Sequence, residues 1–302
     1  MQKENLSKAY WALAIVSIFW GTTYFALLIG VQSFPPFLFS GIRQLTAGIL
    51  FMLALFLLKK IGKWNWKDAL YQAIPGILMI AVGNGIIGWA EQYIPSGLAA
   101  LIASSLPLMN VLLNFISGAD RRKPNAAILL GLLTGAIGVV FIFKDNLADM
   151  VNPAYFTGMM ICFFAILSWA SGSILSKKHS SSISPLVNAA IQMLAGGAAL
   201  LIMSLFLDDY QRLSTVRAES IYALIYLIFV GSLLSYTCFV YALQKLPLGI
   251  SSLYAYINPF IAILLGYFFL QEPLTWYTGL ALFFVLLGVY WVNKGYSKQT
   301  AK

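Results

Sequence analysis

The chain is short of charge: of its 302 residues only 10% are Asp, Glu, Lys or Arg, where a soluble globular domain carries about 25%. That is too few ionic side chains to cover a water-soluble surface. Histidine occurs once and cysteine twice, and Cys162 and Cys238 both fall inside apolar stretches, which argues against a disulfide framework and a cysteine metal centre. Catalytic signatures are missing as well. With no HExxH, no GxSG and no P-loop GxxxxGK pattern, intramembrane proteolysis and ATP-driven pumping by this chain alone drop out, and the expectation is a non-enzyme with no cofactor and no metal. Long polar segments are absent too, so any function must reside in the apolar part and its short loops.

What is present is hydrophobic sequence, 60% of the chain. A bilayer core about 30 Å thick takes roughly 20 apolar residues per helix. Runs of that kind fall at 9–30, 36–58, 70–91, 97–116, 126–143, 154–175, 185–207, 220–243, 249–270 and 275–293. They predict an all-α integral membrane fold of ten transmembrane helices. Between Ile221 and Lys294 the only charges are Lys245 and Glu272, so the boundaries there rest on Pro247-Leu248-Gly249 and Glu272-Pro273. The first run is too long for a signal-peptide core and carries Trp20 and Tyr24, which marks it as a mature helix.

The net charge of +9 has a location. If the amino terminus is cytoplasmic, 15 of the 19 Lys and Arg lie in inner segments, among them Arg121, Arg122, Lys123 and Lys302, while only Lys144, Arg212 and Arg217 lie in outer loops. This positive-inside bias predicts both termini in the cytoplasm and assigns the surplus to the surface of the lipid bilayer, not to nucleic acid. Arg43, the remaining cation, stands seven residues in from Pro36 and is expected to snorkel outward.

The two halves of the chain match. Trp20 and Trp169, Pro36 and Pro185, and Gly48 and Gly197 are each 149 apart, and PFLFSGIRQLTAG (36–48) lies over PLVNAAIQMLAGG (185–197). Further on, Pro95 over Pro247 and Pro107 over Pro259 are 152 apart. The pattern predicts repeats over 1–146 and 152–295 with five helices each. Because five is odd, the second repeat sits upside down relative to the first, as in many secondary transporters.

Pro107 and Pro259 then fall near the midplane, where each helix kink leaves a carbonyl, of Ala103 or Ala255, to be met by protein or a wet cavity. Polar and amphipathic side chains at depth mark candidate cavity residues: Trp20, Tyr24, Asn84, Trp89, Asn110, Trp169, Tyr236, Tyr254 and Asn258. Glu91 shares a helix face with Asn84 and reads either as an interfacial residue or as an amine or proton site. Gly131 and Gly135 have the GxxxG spacing of close helix contacts.

FWGTTYFALLIG (19–30), SGIRQLTAG (40–48), WAEQYIPSGLAALIASSLPLMNVLL (89–113) and the stretch 246–289 resemble the EamA family of the drug/metabolite transporter superfamily over nearly the whole chain. The first repeat ends in GADRRKP, with Asp120, where the second has LQEPLTW. The resemblance implies a ten-helix carrier that moves small metabolites or drugs, commonly outward, through a central cavity formed by Trp20, Tyr24, Asn84, Trp89, Tyr254 and Asn258. The expected function is alternating-access export of amphipathic compounds such as amino acids. Aromatic walls favour amphipathic or weakly cationic solutes. The competing class is a non-transporting scaffold or lipid-handling protein. A homodimer stays open as an assembly.

Overall fold

The structure is a computed structural model and describes residues 2–62, 64–116, 125–179, 182–246, 248–251 and 254–300. Asp120, Arg121, Arg122, Lys123, Pro247 and Lys302 lie outside the described residues. Within them every regular element is helical. Helices α1 (Gln2–Ser33) and α2 (Pro36–Leu57) lead into α3 (Trp66–Gly76), which continues through a π-helical stretch (Ile77–Gly85) into α4 (Ile86–Ala90). Helices α5 (Ser96–Ala103), α6 (Leu106–Ile116), α7 (Ala126–Asp145), α8 (Pro153–Lys178) and α9 (Pro185–Leu207) follow. Then come α10 (Ala218–Tyr226), a second π-helical stretch (Leu227–Leu234), α11 (Ser235–Lys245), α12 (Leu248–Ser251), α13 (Tyr254–Leu270) and α14 (Trp276–Thr300).

Among the described residues nine helical runs are long and apolar enough to cross a membrane, and Ile257–Leu270 is a shorter apolar helix. The fold is therefore all-α and multi-pass. Prolines open α2, α8 and α9 at their first helical position, where the missing N–H costs no hydrogen bond.

Helices at matching places in the two halves pack directly on each other. On α2 and α9, a Cβ added at Gly48 would stand 2.9 Å from the Leu194 nitrogen, and one at Gly197 would stand 2.6 Å from that of Leu45. On α7 and α14, a Cβ at Gly131 would meet the Gly288 carbonyl oxygen at 2.6 Å. Such approaches of backbone to backbone are how helices associate where lipid removes the hydrophobic drive.

The exposed amides at helix starts are met by carboxylates from distant sequence. Asp208 accepts from the Phe37 and Leu38 amides at the start of α2, at 3.2 and 2.7 Å. Glu272 accepts from the Ser96 amide and hydroxyl, both at 2.8 Å, and from the Gly97 amide at 2.9 Å, at the start of α5. Asp68 receives the Ser182 amide and hydroxyl at 2.8 and 2.5 Å, and its other oxygen pairs with His179 Nε2 at 2.9 Å. Each is a negative charge on backbone donors, and the first two also face the positive end of a helix dipole.

The helix contacts make a direct prediction. Gly288→Val, whose Cβ would lie 2.6 Å from the Gly135 nitrogen, lowers the thermal unfolding midpoint in detergent by several degrees, about 1–3 kcal/mol. Gly279→Val on the same helix, where a Cβ meets nothing within 4 Å, stays within about 0.5 kcal/mol. Equal losses in the two variants would refute the close α7–α14 contact.

Candidate functional site

The two π-helical stretches begin 150 residues apart, at Ile77 and Leu227. A π-helix is rare and usually short, and it re-aims side chains while loosening the carbonyl ladder. Here side chains from the opposite half of the chain fill in. Trp20 Nε1 on α1 donates to the Gly231 carbonyl at 3.0 Å, and the Ser168 hydroxyl on α8 donates to the Leu78 carbonyl at 2.8 Å. Trp20 and Trp169, the neighbour of Ser168, are the matched tryptophans of the repeat.

Between the two stretches lies a cavity lined by both halves: Trp20, Tyr24, Arg43, Gln44, Asn84, Ser104, Trp169, Gly231, Tyr236, Tyr254 and Asn258 are in its wall. Trp20 is the hub of the aromatic part. Its ring centroid is 5.4 Å from that of Trp169, edge to face, and 5.0 Å from those of Tyr254 and Phe239. Asn258, with its amide nitrogen as donor, bonds the Ser17 and Tyr254 carbonyls at 3.1 Å each and ties α13 to α1. Free volume is about 50 Å³, well below the ~300–1,000 Å³ of small-molecule sites. An organic solute enters only when the walls part.

Seven of the nine side chains proposed from sequence reach this cavity: Trp20, Tyr24, Asn84, Trp169, Tyr236, Tyr254 and Asn258. Trp89 does not line it. Its ring stacks on Phe37 at 6.5 Å and meets Tyr93 edge-on at 5.5 Å. Asn110 is buried on α6 but is outside the described wall. At Pro107 the helix breaks: α5 ends at Ala103, α6 starts at Leu106, and Ser104 and Ser105 fold their hydroxyls back onto the Leu101 and Ile102 carbonyls at 2.5 and 2.7 Å. Helix α13 runs through Pro259 without interruption. Ala103 and Ala255, the residues whose carbonyls the prolines leave free, are both in the cavity wall.

Arg43 corrects the sequence reading. It does not snorkel. The side chain is 2% exposed, its Nε donates to Ser232 Oγ at 2.9 Å, and its Nη1 makes a long 3.4 Å bond to Asn84 Oδ1. Depth along α2 alone suggested a route to the interface, but the π-helical stretches supply oxygen acceptors inward. Glu91 is likewise buried at 2% exposure, with both carboxylate oxygens lacking a hydrogen-bond partner among the described residues. It is not in the cavity wall, but it acts electrostatically on Tyr24 and Arg43, which are.

Gln192, at the place in the second half that Arg43 holds in the first, has the opposite fate. Its amide donates to Gln72 Oε1 at 2.6 Å and to Ser176 Oγ at 3.1 Å, while its oxygen accepts from the Tyr236 hydroxyl at 2.8 Å. Asn84 and Tyr236 also match, 152 residues apart. The same pair of positions is therefore a loose cavity contact in one half and a closed polar cluster in the other.

A multi-pass bundle of apolar helices around a small polar and aromatic cavity is the build of a membrane carrier. The EamA-like transporter family matches the chain twice, over residues 7–144 and 156–294, and the chain belongs to that family. The uncharacterized inner membrane transporter YedA of Escherichia coli is 32% identical over 298 residues, which cover 98% of this chain and 94% of that protein. Protein PecM of Dickeya dadantii is 30% identical over 258 residues, or 85% of this chain and 82% of its own. A solved crystal structure shares the fold, with a TM-score of 0.69 at 18% identity over 98% of this chain and 99% of the other. The protein is a secondary transporter of small molecules.

The Gln192 cluster is testable as a unit. Gln192→Leu strands the Tyr236 hydroxyl and the Gln72 side-chain oxygen, and costs about 1–3 kcal/mol in thermal unfolding. Adding Tyr236→Phe recovers part of that loss because one stranded group is then gone. Strictly additive losses in the double-mutant cycle would show that the two side chains do not interact.

Proposed function

We propose that the chain is a ten-helix carrier of two inverted five-helix repeats, 1–146 and 152–295, which exports small amphipathic metabolites across the inner membrane by alternating access with both termini in the cytoplasm. The observation that carries this reading is the reciprocal use of matched helices around one cavity. Helix α2 packs on α9 and α7 on α14, and each half lends side chains to the π-helical stretch of the other. Two copies related by an axis in the membrane plane have two equivalent closures, one at each face. The closed Gln192–Tyr236 cluster opposite the loose Arg43–Asn84 contact is what one of those two states requires. The double match to the family and the inner-membrane name of the Escherichia coli relative support the repeat and the compartment.

The proposed binding residues are Trp20, Tyr24, Asn84, Trp169, Tyr236, Tyr254 and Asn258. Glu91 is proposed as a proton site. A carboxylate buried without hydrogen-bond donors suits exchange of a proton as the adjoining cavity opens and closes.

Three measurements test the proposal. With Cys162 and Cys238 replaced, single cysteines at positions 84 and 258 show labelling that changes when transported solute is added, and static labelling at both sites would sink alternating access. Overexpression shifts the profile of excreted small molecules, and Asn258→Leu abolishes the shift; an unchanged profile in both strains would remove export. In proteoliposomes, Glu91→Gln flattens the response of flux to an imposed pH gradient while counterflow exchange persists. A wild-type response in that variant would take the proton from Glu91.

A further inference from the structure

Among the described residues of the cavity wall, Arg43 is the sole charged side chain. Its two hydrogen bonds run to neutral oxygens, of Ser232 and Asn84, and Nη2 makes none among the described residues. The ion pair found between described side chains is His179 with Asp68, at another end of the fold. Glu91 attracts the guanidinium electrostatically but does not come within ion-pairing distance and is not in the wall. Gly231 makes room for the guanidinium, since a Cβ there would stand 2.9 Å from Nη2. One further wall group, Gln44 Oε1 in a side chain 2% exposed, ends without a partner, and Trp169 Nε1, in a side chain 8% exposed, makes no well-formed hydrogen bond and has only a weak contact with the Tyr254 hydroxyl.

A buried guanidinium with no carboxylate at ion-pairing distance is costly and is a functional candidate within a membrane. Its planar fork matches a carboxylate, and an indole N–H is a donor only. Around these donors stand the faces and edges of Trp20, Trp169 and Tyr254, which suit a flat apolar body. We infer that the cavity takes an organic monoanion, a carboxylate carried on an aromatic or flat apolar body, with the carboxylate on Arg43 and Trp169 Nε1 and the body against Trp20 and Tyr254. A single guanidinium balances a single negative charge, so doubly charged phosphates are not the class. No acid in the wall meets an ammonium group, so the ligand carries no compensating amine. The weakly cationic solutes expected from the aromatic side chains alone would face Arg43 and be repelled.

This inference rests on the carrier reading, and its test is separate from the test of that reading. Binding to purified protein in nanodiscs is measured by calorimetry for a matched series: 3-phenylpropionate, its amide, 3-phenylpropylamine and phenylalanine. The acid binds about 10- to 100-fold more tightly than the amide, the worth of charge-assisted hydrogen bonds, and the amine binds most weakly. Arg43→Gln equalises acid and amide. Arg43→Lys keeps the charge but loses the fork, and retains part of the preference. Should Arg43→Gln fail to fold, Trp169→Phe removes the indole N–H together with its five-membered ring, and lowers affinity for the acid several-fold more than for the amide and the amine, which lose the same ring surface. An amine that binds as well as the acid, phenylalanine binding more tightly than the acid, or no binding by any member would overturn the inference. The solute-dependent cysteine labelling at positions 84 and 258, run with excreted solutes, continues to report on transport itself in each of those cases.

Discussion

Within a bilayer a polar group has no water to fall back on, and every hydrogen bond has to be found inside the protein. That constraint explains the most unusual part of this structure. The π-helical stretches at Ile77–Gly85 and Leu227–Leu234 loosen the backbone where lipid could not satisfy it. They survive because Trp20 and Ser168 donate to the Gly231 and Leu78 carbonyls. Those donors belong to α1 and α8, matched helices that each serve the other half. The halves are thus bound by mutual dependence at their least regular points, which are also the points that surround the cavity.

Matched positions in the two halves carry different side chains, and the difference has a physical meaning. Arg43 and Gln192 stand 149 residues apart and occupy the same place on their helices. A neutral amide can be fully satisfied by Gln72, Ser176 and Tyr236, and it closes its side of the bundle. A guanidinium has five donors and full charge, and Ser232 and Asn84 satisfy only part of it. On the proposed repeat, divergence at this one pair satisfies the amide of Gln192 on one side and leaves the guanidinium of Arg43 only partly satisfied on the other.

Much of this was legible in the sequence. Nine of the expected spans have helical counterparts long and apolar enough to cross a membrane, because long apolar runs admit few alternatives. Seven of nine proposed cavity side chains reach the cavity, because a Trp, Tyr or Asn at depth seldom faces lipid. Trp89 was drawn aside by Phe37 and Tyr93, a packing preference that helix phase does not encode. Gln44 in the wall, and Phe239 packed behind it on the Trp20 ring, were missed: Gln44 is a neighbour of Arg43 with no motif, and Phe239 is one apolar residue among many. The π-helical stretches left no trace either. An i to i+5 ladder changes the phase of a helix without changing its composition, and the misreading of Arg43 follows from that, since its acceptor Ser232 and its neighbour Gly231 lie in one such stretch.

On the proposed alternation, each closed state must be strong enough to exclude leakage and weak enough to open. The Gln192 cluster holds three hydrogen bonds, each worth about 0.5–1.5 kcal/mol net, so it biases one state by a few kcal/mol. That is the size of gap that leaves a minor conformer populated at the 0.1–10% level. A salt bridge in its place would be a poorer gate, because separating buried charges costs several kcal/mol more. The carboxylates on helix starts, Asp208 on α2 and Glu272 on α5, set a different constraint, since each ties the end of a helix in the chain's second half to a helix start in the first. Rocking about the helix pairs α2–α9 and α7–α14 can then leave the close glycine contacts in place as pivots, while the polar cluster, not the packing, is what has to break.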